Sequence, residues 1–260
     1  MLMFCKNAGD VTQGWRTDSY RALSDGSTSS IHILTFDYRG FGHSSGTPTE
    51  PGLIKDGIAA VEWATKIAKV PTQNIVILGQ SLGTAVATAV VEHFVKQNIE
   101  FAGLILVAGF TNLPNLLMTY SIGGYLPVLS PLRAFPKLYN KFVYYLTDTW
   151  QTTTRLAKFV RKSKRVRVYL LHALDDSEIP WAQSEGLFAV AANATIEEGM
   201  EIDLLEKMKT RFTVQMGDGA FVSTWDTGNN KIIREQIVAY GSKLLYYSLP
   251  RNEVLTFLSS

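Results

Sequence analysis

One stretch constrains this chain more than any other: Ile75 to Ala89 reads IVILGQSLGTAVATA. A continuously apolar, β-branched run passes through Gly79-Gln80-Ser81-Leu82-Gly83 into a series of small residues. The first part suits a strand covered on both faces, and the second suits a helix packed close against it. A bare G-x-S-x-G pattern is weak, since this composition produces it by chance in about one chain in ten. Its setting is what informs: strand, sharp turn and helix together lift a serine above the C-terminal edge of a sheet. Glycines two before and two after that serine remove side chains that would collide across the turn. Ser81 is therefore a candidate nucleophile. The Leu82 N–H, at the positive start of the helix, is placed to donate to a developing oxyanion.

The rest of the chain repeats the same rhythm. Ile31 to Tyr38 (IHILTFDY) reads as a strand ending at Arg39-Gly40. Ile54, Ile58, Val61, Thr65 and Ala68 recur at steps of four, three, four and three, the stripe of a helix from Leu53 to Lys69 that Pro71 ends. Asn74 to Leu78 is predicted as a strand, Leu82 to Gln97 as a helix, Gly103 to Ala108 and Val166 to Leu171 as strands, and Trp181 to Ala192 as a helix. Lys231 to Tyr240 is assigned to a strand, because Gly241-Ser242 punctuates its end and the sheet needs a member there. Strand alternating with helix implies an α/β fold, a mostly parallel sheet with helices on both faces. Two intervals interrupt it within a single domain spanning residues 1–260. Thr111 to Lys164 is long, aromatic and proline-punctuated, the character of an inserted cap. Asn193 to Asn230 is more polar, with a predicted helix at Glu197 to Lys209 and a turn at Asp226 to Asn230 (DTGNN).

Composition excludes several classes. Hydrophobic residues are 46% and charged residues 18% of 260, which excludes a disordered or fibrous chain. With 25 Lys and Arg against 23 Asp and Glu, a net charge of +2 gives no reason to expect a nucleic-acid partner. Cys5 is the only cysteine, so neither an internal disulfide nor a cysteine-based metal cage is expected, and no metal or other cofactor is implied. Lys6 and Asn7 end the opening apolar run well short of a signal-peptide core of roughly 7–15 residues. Leu113 to Leu132 has about the length of a membrane span, but Pro114, Pro127, Pro131 and Gly123-Gly124 would break a helix there. It reads instead as cap core, or as a surface admitting an acyl chain or resting on a membrane. Arg161 to Arg167 (RKSKRVR) is read as the wet end of a helix leading into a strand rather than as a lipid-headgroup site.

Four stretches carry a resemblance: NAGDVTQGWRTDSYRALS, FDYRGFGHSSGTPTEPG, GQSLGTAVA and LHALDDSEIP. With them the chain resembles the α/β-hydrolases, and among these the lysophospholipid and monoacylglycerol lipases typified by α/β-hydrolase domain-containing protein twelve and its fungal relatives. The resemblance implies a Ser-His-Asp hydrolase with a cap over its pocket, acting on acyl esters, and association with intracellular membranes. From the residues alone, either Asp175 or Asp176 in the loop after the Val166 strand can turn toward Ser81. In the family the acid stands four residues after the strand-end residue held here by His172 and four before Pro180. That selects Asp176 as the group orienting an imidazole, with Asp175 expected to cap the following helix. The family's first oxyanion stretch resembles His-Gly-Asn-Ala-Gly, and here it reads Cys5-Lys6-Asn7-Ala8-Gly9. The Asn7 N–H is then the second oxyanion donor, with Lys6 where the family has glycine. Met1 falls inside the strand before it, so the family's earlier strands and membrane anchor are expected to be missing and one sheet edge to lack a neighbour.

The general base is the departure. The family's pattern after the last strand resembles Tyr-Gly-Gly-His-Asn. This chain has Tyr240-Gly241-Ser242-Lys243-Leu244, and no histidine follows His172. His93 lies twelve residues along the helix from Ser81, about 18 Å along its axis. His32 is expected at the far end of its strand, His172 to shape the acid loop, and His43 to sit in the glycine-rich loop on the catalytic edge. A Lys243–Asp176 ion pair is the expected outcome at the base position, because a carboxylate favours the charged ammonium. Two readings follow. One is a serine hydrolase of lipid-like carboxylic esters, with Ser81 as nucleophile, Asp176 as orienter and the base unassigned, whose cap contacts a membrane surface. The other is a non-catalytic binding protein on the same fold, with Lys243 in the histidine's place. A longer gene product carrying the missing parts would reconcile the two.

Overall fold

The computed structural model describes residues 2–4, 10–12, 16–24, 31–122, 126–127 and 135–241. In chain order the elements are β1 (Leu2–Phe4), α1 (Arg16–Ser24), β2 (Leu34–Thr35), α2 (Glu50–Glu62), β3 (Val76–Gln80), α3 (Leu82–Val95) and β4 (Gly103–Val107). Then come α4 (Leu113–Thr119), the small hairpin of β5 (Ser121–Ile122) and β6 (Leu126–Pro127), α5 (Pro136–Tyr144) and α6 (Thr152–Lys162). The chain continues through β7 (Val166–Ala173), α7 (Ala182–Asn193), α8 (Ile202–Arg211), β8 (Thr213–Gly217), β9 (Ala220–Asp226) and β10 (Lys231–Val238). The main sheet has eight strands in the order β2-β1-β3-β4-β7-β10-β9-β8. The first six run parallel, and β9 and β8 are antiparallel additions at one side.

The central strands are mostly apolar because both faces are covered, with Gln80, Arg167 and His172 as buried polar exceptions. Ile77, Leu104, Leu106, Val168 and Leu170 pack into the larger core, beneath α2, α3, α6 and α7. Their neighbours Leu78, Ile105, Val107, Tyr169 and Leu171 face the other way, where Tyr20 and Leu23 of α1 join them. That alternation makes the fold the expected α/β one with helices on both faces. α3 lies against β3 and β4. Its Thr84 and Thr88 are fully buried and return their hydroxyls to the backbone, at Ser81 O (2.6 Å) and Thr84 O (2.7 Å), which satisfies both donors without a polar partner elsewhere.

The sequence reading needs three corrections at the periphery. Of Ile31 to Tyr38, only Leu34–Thr35 forms a strand. Among the described residues β2 has β1 as its single neighbour. The polar interval Asn193 to Asn230 contributes β8 and β9 to the sheet, through a two-residue turn whose Asp218 and Gly219 both have positive φ (51° and 77°), a hairpin turn suited to a right-handed strand pair. Its helix begins at Ile202 rather than Glu197. Gly199 turns the chain at φ +73°, and the Asn193 side chain accepts from Met200 N (2.6 Å) and donates to Met200 O (3.1 Å), fixing a loop where helix was expected.

The interval Thr111 to Lys164 also divides. α6 packs on α3 and α7 as part of the helix layer, whereas α4, the small hairpin and α5 lie between two pinned ends. Leu113 N donates to Thr149 O (2.9 Å) and Thr153 N to Thr111 O (3.1 Å), so the chain leaves and returns at one place beyond β4. Glu50, buried at the start of α2, accepts from Thr149 N (2.8 Å) and Trp150 N (2.9 Å) and meets Arg155 Nη2 at 2.5 Å. Asp148 in turn accepts from Glu50 N at 3.0 Å. α4 ends at Thr119, and no described helix is long and apolar enough to cross a membrane.

Candidate active site

β3 delivers the chain to Ser81 and α3 takes it away at once, which forces an unusual backbone. Ser81 has φ 52° and ψ −122°, a conformation that a residue with a Cβ adopts only under constraint. The constraint is visible on both sides. Ser81 N donates to Val107 O (2.9 Å) on β4, and Ser81 O accepts from Thr84 N (2.9 Å) in the first turn of α3. The strand end and helix start approach so closely that a Cβ at Gly79 would lie 2.6 Å from Gly83 C and 2.8 Å from Thr84 Cα, and closer still to the Gly83 carbonyl oxygen. The glycine requirement read from the sequence is thus a backbone contact. The Ser81 hydroxyl accepts and donates no hydrogen bond among the described residues. Leu82 N–H opens α3, where first-turn donors lack an acceptor within the helix.

The acid loop follows β7. Parallel order places the ends of β3, β4, β7 and β10 on one edge of the sheet. Ser81 and Asp176 leave that edge two strands apart, a gap of roughly 10 Å that an imidazole between two side chains can bridge. Asp176 Oδ1 accepts from Glu178 N and Ile179 N, both at 2.9 Å, and its Oδ2 stands 3.5 Å from His172 Nε2. Its side chain is only 8% exposed. The turn-closing role expected of Asp175 therefore falls to Asp176, whose carboxylate is the one that the Glu178 and Ile179 N–H groups reach. Asp175 is exposed and accepts instead from Gly241 N (3.0 Å), tying the acid loop to the chain that follows β10.

Burial alone would push the Asp176 carboxyl up. The His172 imidazole and the Ile179 and Glu178 N–H groups outweigh it and hold the group below its ordinary value of 3.8. A carboxyl lowered on folding stabilises the fold above its unfolded value, and that contribution is lost as pH falls through the lowered value. The stability gap between the native chain and Asp176→Asn is accordingly expected to be full at neutral pH and to shrink below about pH 4, as read by urea unfolding at both ends of that range.

His172, fully buried, ties the loop to α7. Its Nε2 meets the Ile179 carbonyl at 2.8 Å, an acceptor only, so the ring proton sits on Nε2; Nδ1 meets Ser184 Oγ on α7 at 2.7 Å. Both nitrogens are engaged in holding the loop on α7. The Ser184 contact was beyond the sequence reading, for which the strand-end histidine was the one available signal. His32, His43 and His93 are exposed, and His93 bonds Gln97 (2.8 Å) further along its own helix. In the glycine-rich loop, Gly40 N donates to Ser44 O (3.1 Å) and Ser44 Oγ to Asp37 O (2.8 Å), which makes these residues loop architecture. Asn7 and Lys243 lie outside the described residues. Among the described residues no three His, Cys, Asp or Glu side chains gather as metal ligands.

A sequence model of the Alpha/beta hydrolase family matches residues 9–220, and the chain belongs to that family. It is 30% identical to lysophosphatidylserine lipase ABHD12 of Macaca fascicularis over 192 residues, covering 72% of this chain and 44% of that protein. It is 33% identical to protein ABHD12B of Homo sapiens over 181 residues, covering 67% of this chain and 44% of that one. The resemblance read from the four motifs is therefore borne out, and the chain spans about half the length of the curated relatives it matches. In fold, an alpha-beta hydrolase from Vibrio vulnificus superposes with a TM-score of 0.61 at 16% identity, over 99% of this chain and 72% of that one. The Pyrococcus furiosus esterase Pf2001 gives 0.59 at 12% identity, over 99% and 81%.

Proposed function

We propose that this chain is a serine hydrolase of carboxylic esters whose substrates are lipid-like, of the lysophospholipid or monoacylglycerol class. The observation that carries the reading is Ser81, held in a strained elbow with no hydrogen-bond partner among the described residues to stabilise its hydroxyl. Ser81 Oγ attacks the ester carbonyl, and the Leu82 and Asn7 N–H groups receive the oxyanion. Collapse of the tetrahedral adduct releases the alcohol with the serine proton and leaves an acyl-serine. Water then frees the fatty acid and restores Ser81. Asp176 orients the base that moves the proton. The name of the ABHD12 relative supports a lysophospholipid. The cap over the catalytic edge is where such a substrate passes from a membrane surface.

A second reading rests on Lys243, which stands where the family has its histidine. Paired with Asp176 it would stay charged and accept no proton, leaving a binding protein on a hydrolase fold. A fluorophosphonate probe separates the two. Stoichiometric labelling by intact mass, abolished in Ser81→Ala, is the expected result. A chain with a native circular dichroism spectrum that takes up no label would establish the binding-protein reading instead.

A further inference from the structure

α5 is the one α-helix among the described residues that buries none of its residues. A polar helix could stand in that position, but this one is apolar along one side. Phe135, Leu138, Phe142 and Tyr145 recur at steps of three, four and three, a single stripe of a 3.6-residue helix. Phe135 is 62% exposed, Leu138 53% and Tyr145 70%. Lys137, Lys141 and Tyr144, at steps of four and three, form the adjoining stripe, and Tyr144 is 82% exposed. The exposed side of α5 is thus an apolar row, with Phe142 half-buried within it, bordered by two ammonium groups and aromatic rings.

We propose that this face of α5 docks on the surface of an anionic lipid bilayer. Charge placement selects the occupant. Thr111 to Thr147 carries Arg133, Lys137 and Lys141 and not one of the chain's 23 acidic residues. An apolar stripe flanked by lysine and tyrosine is the pattern of a helix lying in the headgroup region, where the rings and the aliphatic stems sit among acyl chains and the charges stay in water. The core of a protein–protein interface is instead depleted in lysine, which weighs against a second copy on this face. Position gives the docking a use. The segment carrying α5 leaves beyond β4 and returns at Thr149, on the edge of the sheet from which Ser81 and Asp176 project. A bilayer under α5 therefore faces the catalytic edge. The chain's other cationic run, Arg161 to Arg167, enters the N-terminal end of β7 at the opposite edge, with Arg167 buried, so it cannot share that plane.

The inference rests on the lipid-hydrolase reading for its purpose, yet its test needs no turnover. The full chain is floated with vesicles of phosphatidylcholine alone and of phosphatidylcholine with an equal part of phosphatidylserine, at low and high salt. Binding to the anionic vesicles that weakens with salt is expected. Lys137→Gln with Lys141→Gln should weaken it by about 25-fold, roughly fivefold for each charge. Leu138→Ser with Tyr145→Ser should weaken it at least tenfold on the same vesicles. Failure to bind anionic vesicles, binding that both pairs of changes leave intact, or Leu138-dependent self-association in place of binding would each overturn the docking. Fluorophosphonate labelling of the same samples reports the hydrolase reading separately: vesicle binding without labelling removes the activity and keeps the surface, and labelling without binding does the reverse.

Discussion

Gly79→Ala is expected to destabilise the fold by about 3–5 kcal/mol, a large share of the roughly 5–15 kcal/mol that holds a domain together. The reason is what the new methyl would meet. At 2.6 Å from Gly83 C and 2.8 Å from Thr84 Cα it strikes backbone, and that backbone is the first turn of a helix buried along nearly its whole length. Relief would require lifting α3 from β3 and β4, with Val86, Val90 and Val91 leaving the core together. Gly109→Ala supplies the comparison. A Cβ there lies 2.8 Å from Leu187 Cδ1, the end of a side chain that can rotate, so ordinary overpacking of about 1–2 kcal/mol is expected. Urea unfolding of both variants decides the matter. Equal losses would mean that the elbow tolerates a methyl and that the tightness of the turn has been overstated.

The contrast between those glycines follows the line between what the sequence made legible and what it did not. β3, β4 and β7 could be read because a strand covered on both faces is mostly apolar along its length, and α3 because its small residues announce close packing. Each of these signals is local. β8 escaped for the opposite reason. Its Val214 and Met216 face outward and exposed, so burial imposes no period, and only the Asp218-Gly219 pair signalled a hairpin. The Lys209 ammonium, 2.6 Å from the buried carboxylate of Glu235 and 3.2 Å from Glu185, joins α8 to β10 and α7. No local pattern announces such a pair. Burial pushes the Glu235 carboxyl up even so, with Lys209 opposing it, and each partner is acceptable only in the other's presence.

In the site the same division holds. Ser81 and Leu82 could be read because an elbow is contained in one strand–turn–helix unit. The aspartate pair could be placed in the loop after β7, but spacing could not say which carboxylate closes that turn, because the fold of the loop decides which one meets Glu178 N and Ile179 N. The contact of Asp175 with Gly241 joins segments far apart in sequence, and it brings Gly241 beside the loop after β7. The two functional readings divide on the residue at position 243, where the family has its histidine and this chain has lysine.

Ser81→Gly is expected to be more stable than Ser81→Ala by about 1 kcal/mol, with both variants losing about 10⁴-fold or more in turnover of a short ester. At an ordinary position the order is reversed, since glycine loses more conformational freedom on folding and is less stable than alanine by about 0.5–1 kcal/mol. Here φ is 52° with ψ −122°. The Cβ that alanine keeps is the source of a strain of about 1–3 kcal/mol, and glycine removes it. Neither variant gives up a hydrogen bond to a described residue, so the hydroxyl itself contributes nothing that the comparison must subtract. Urea unfolding gives the stabilities and a chromogenic acetate ester the rates. If glycine proves the less stable of the two, the backbone at Ser81 is relaxed and the elbow is an ordinary turn. If the order is as expected, the chain carries at this position a residue that its own fold opposes. Backbone bonds to Val107 and Thr84 hold that strain in place, while the hydroxyl makes no hydrogen bond to a described residue, and strain kept under such a group is what a chemical use for it would explain.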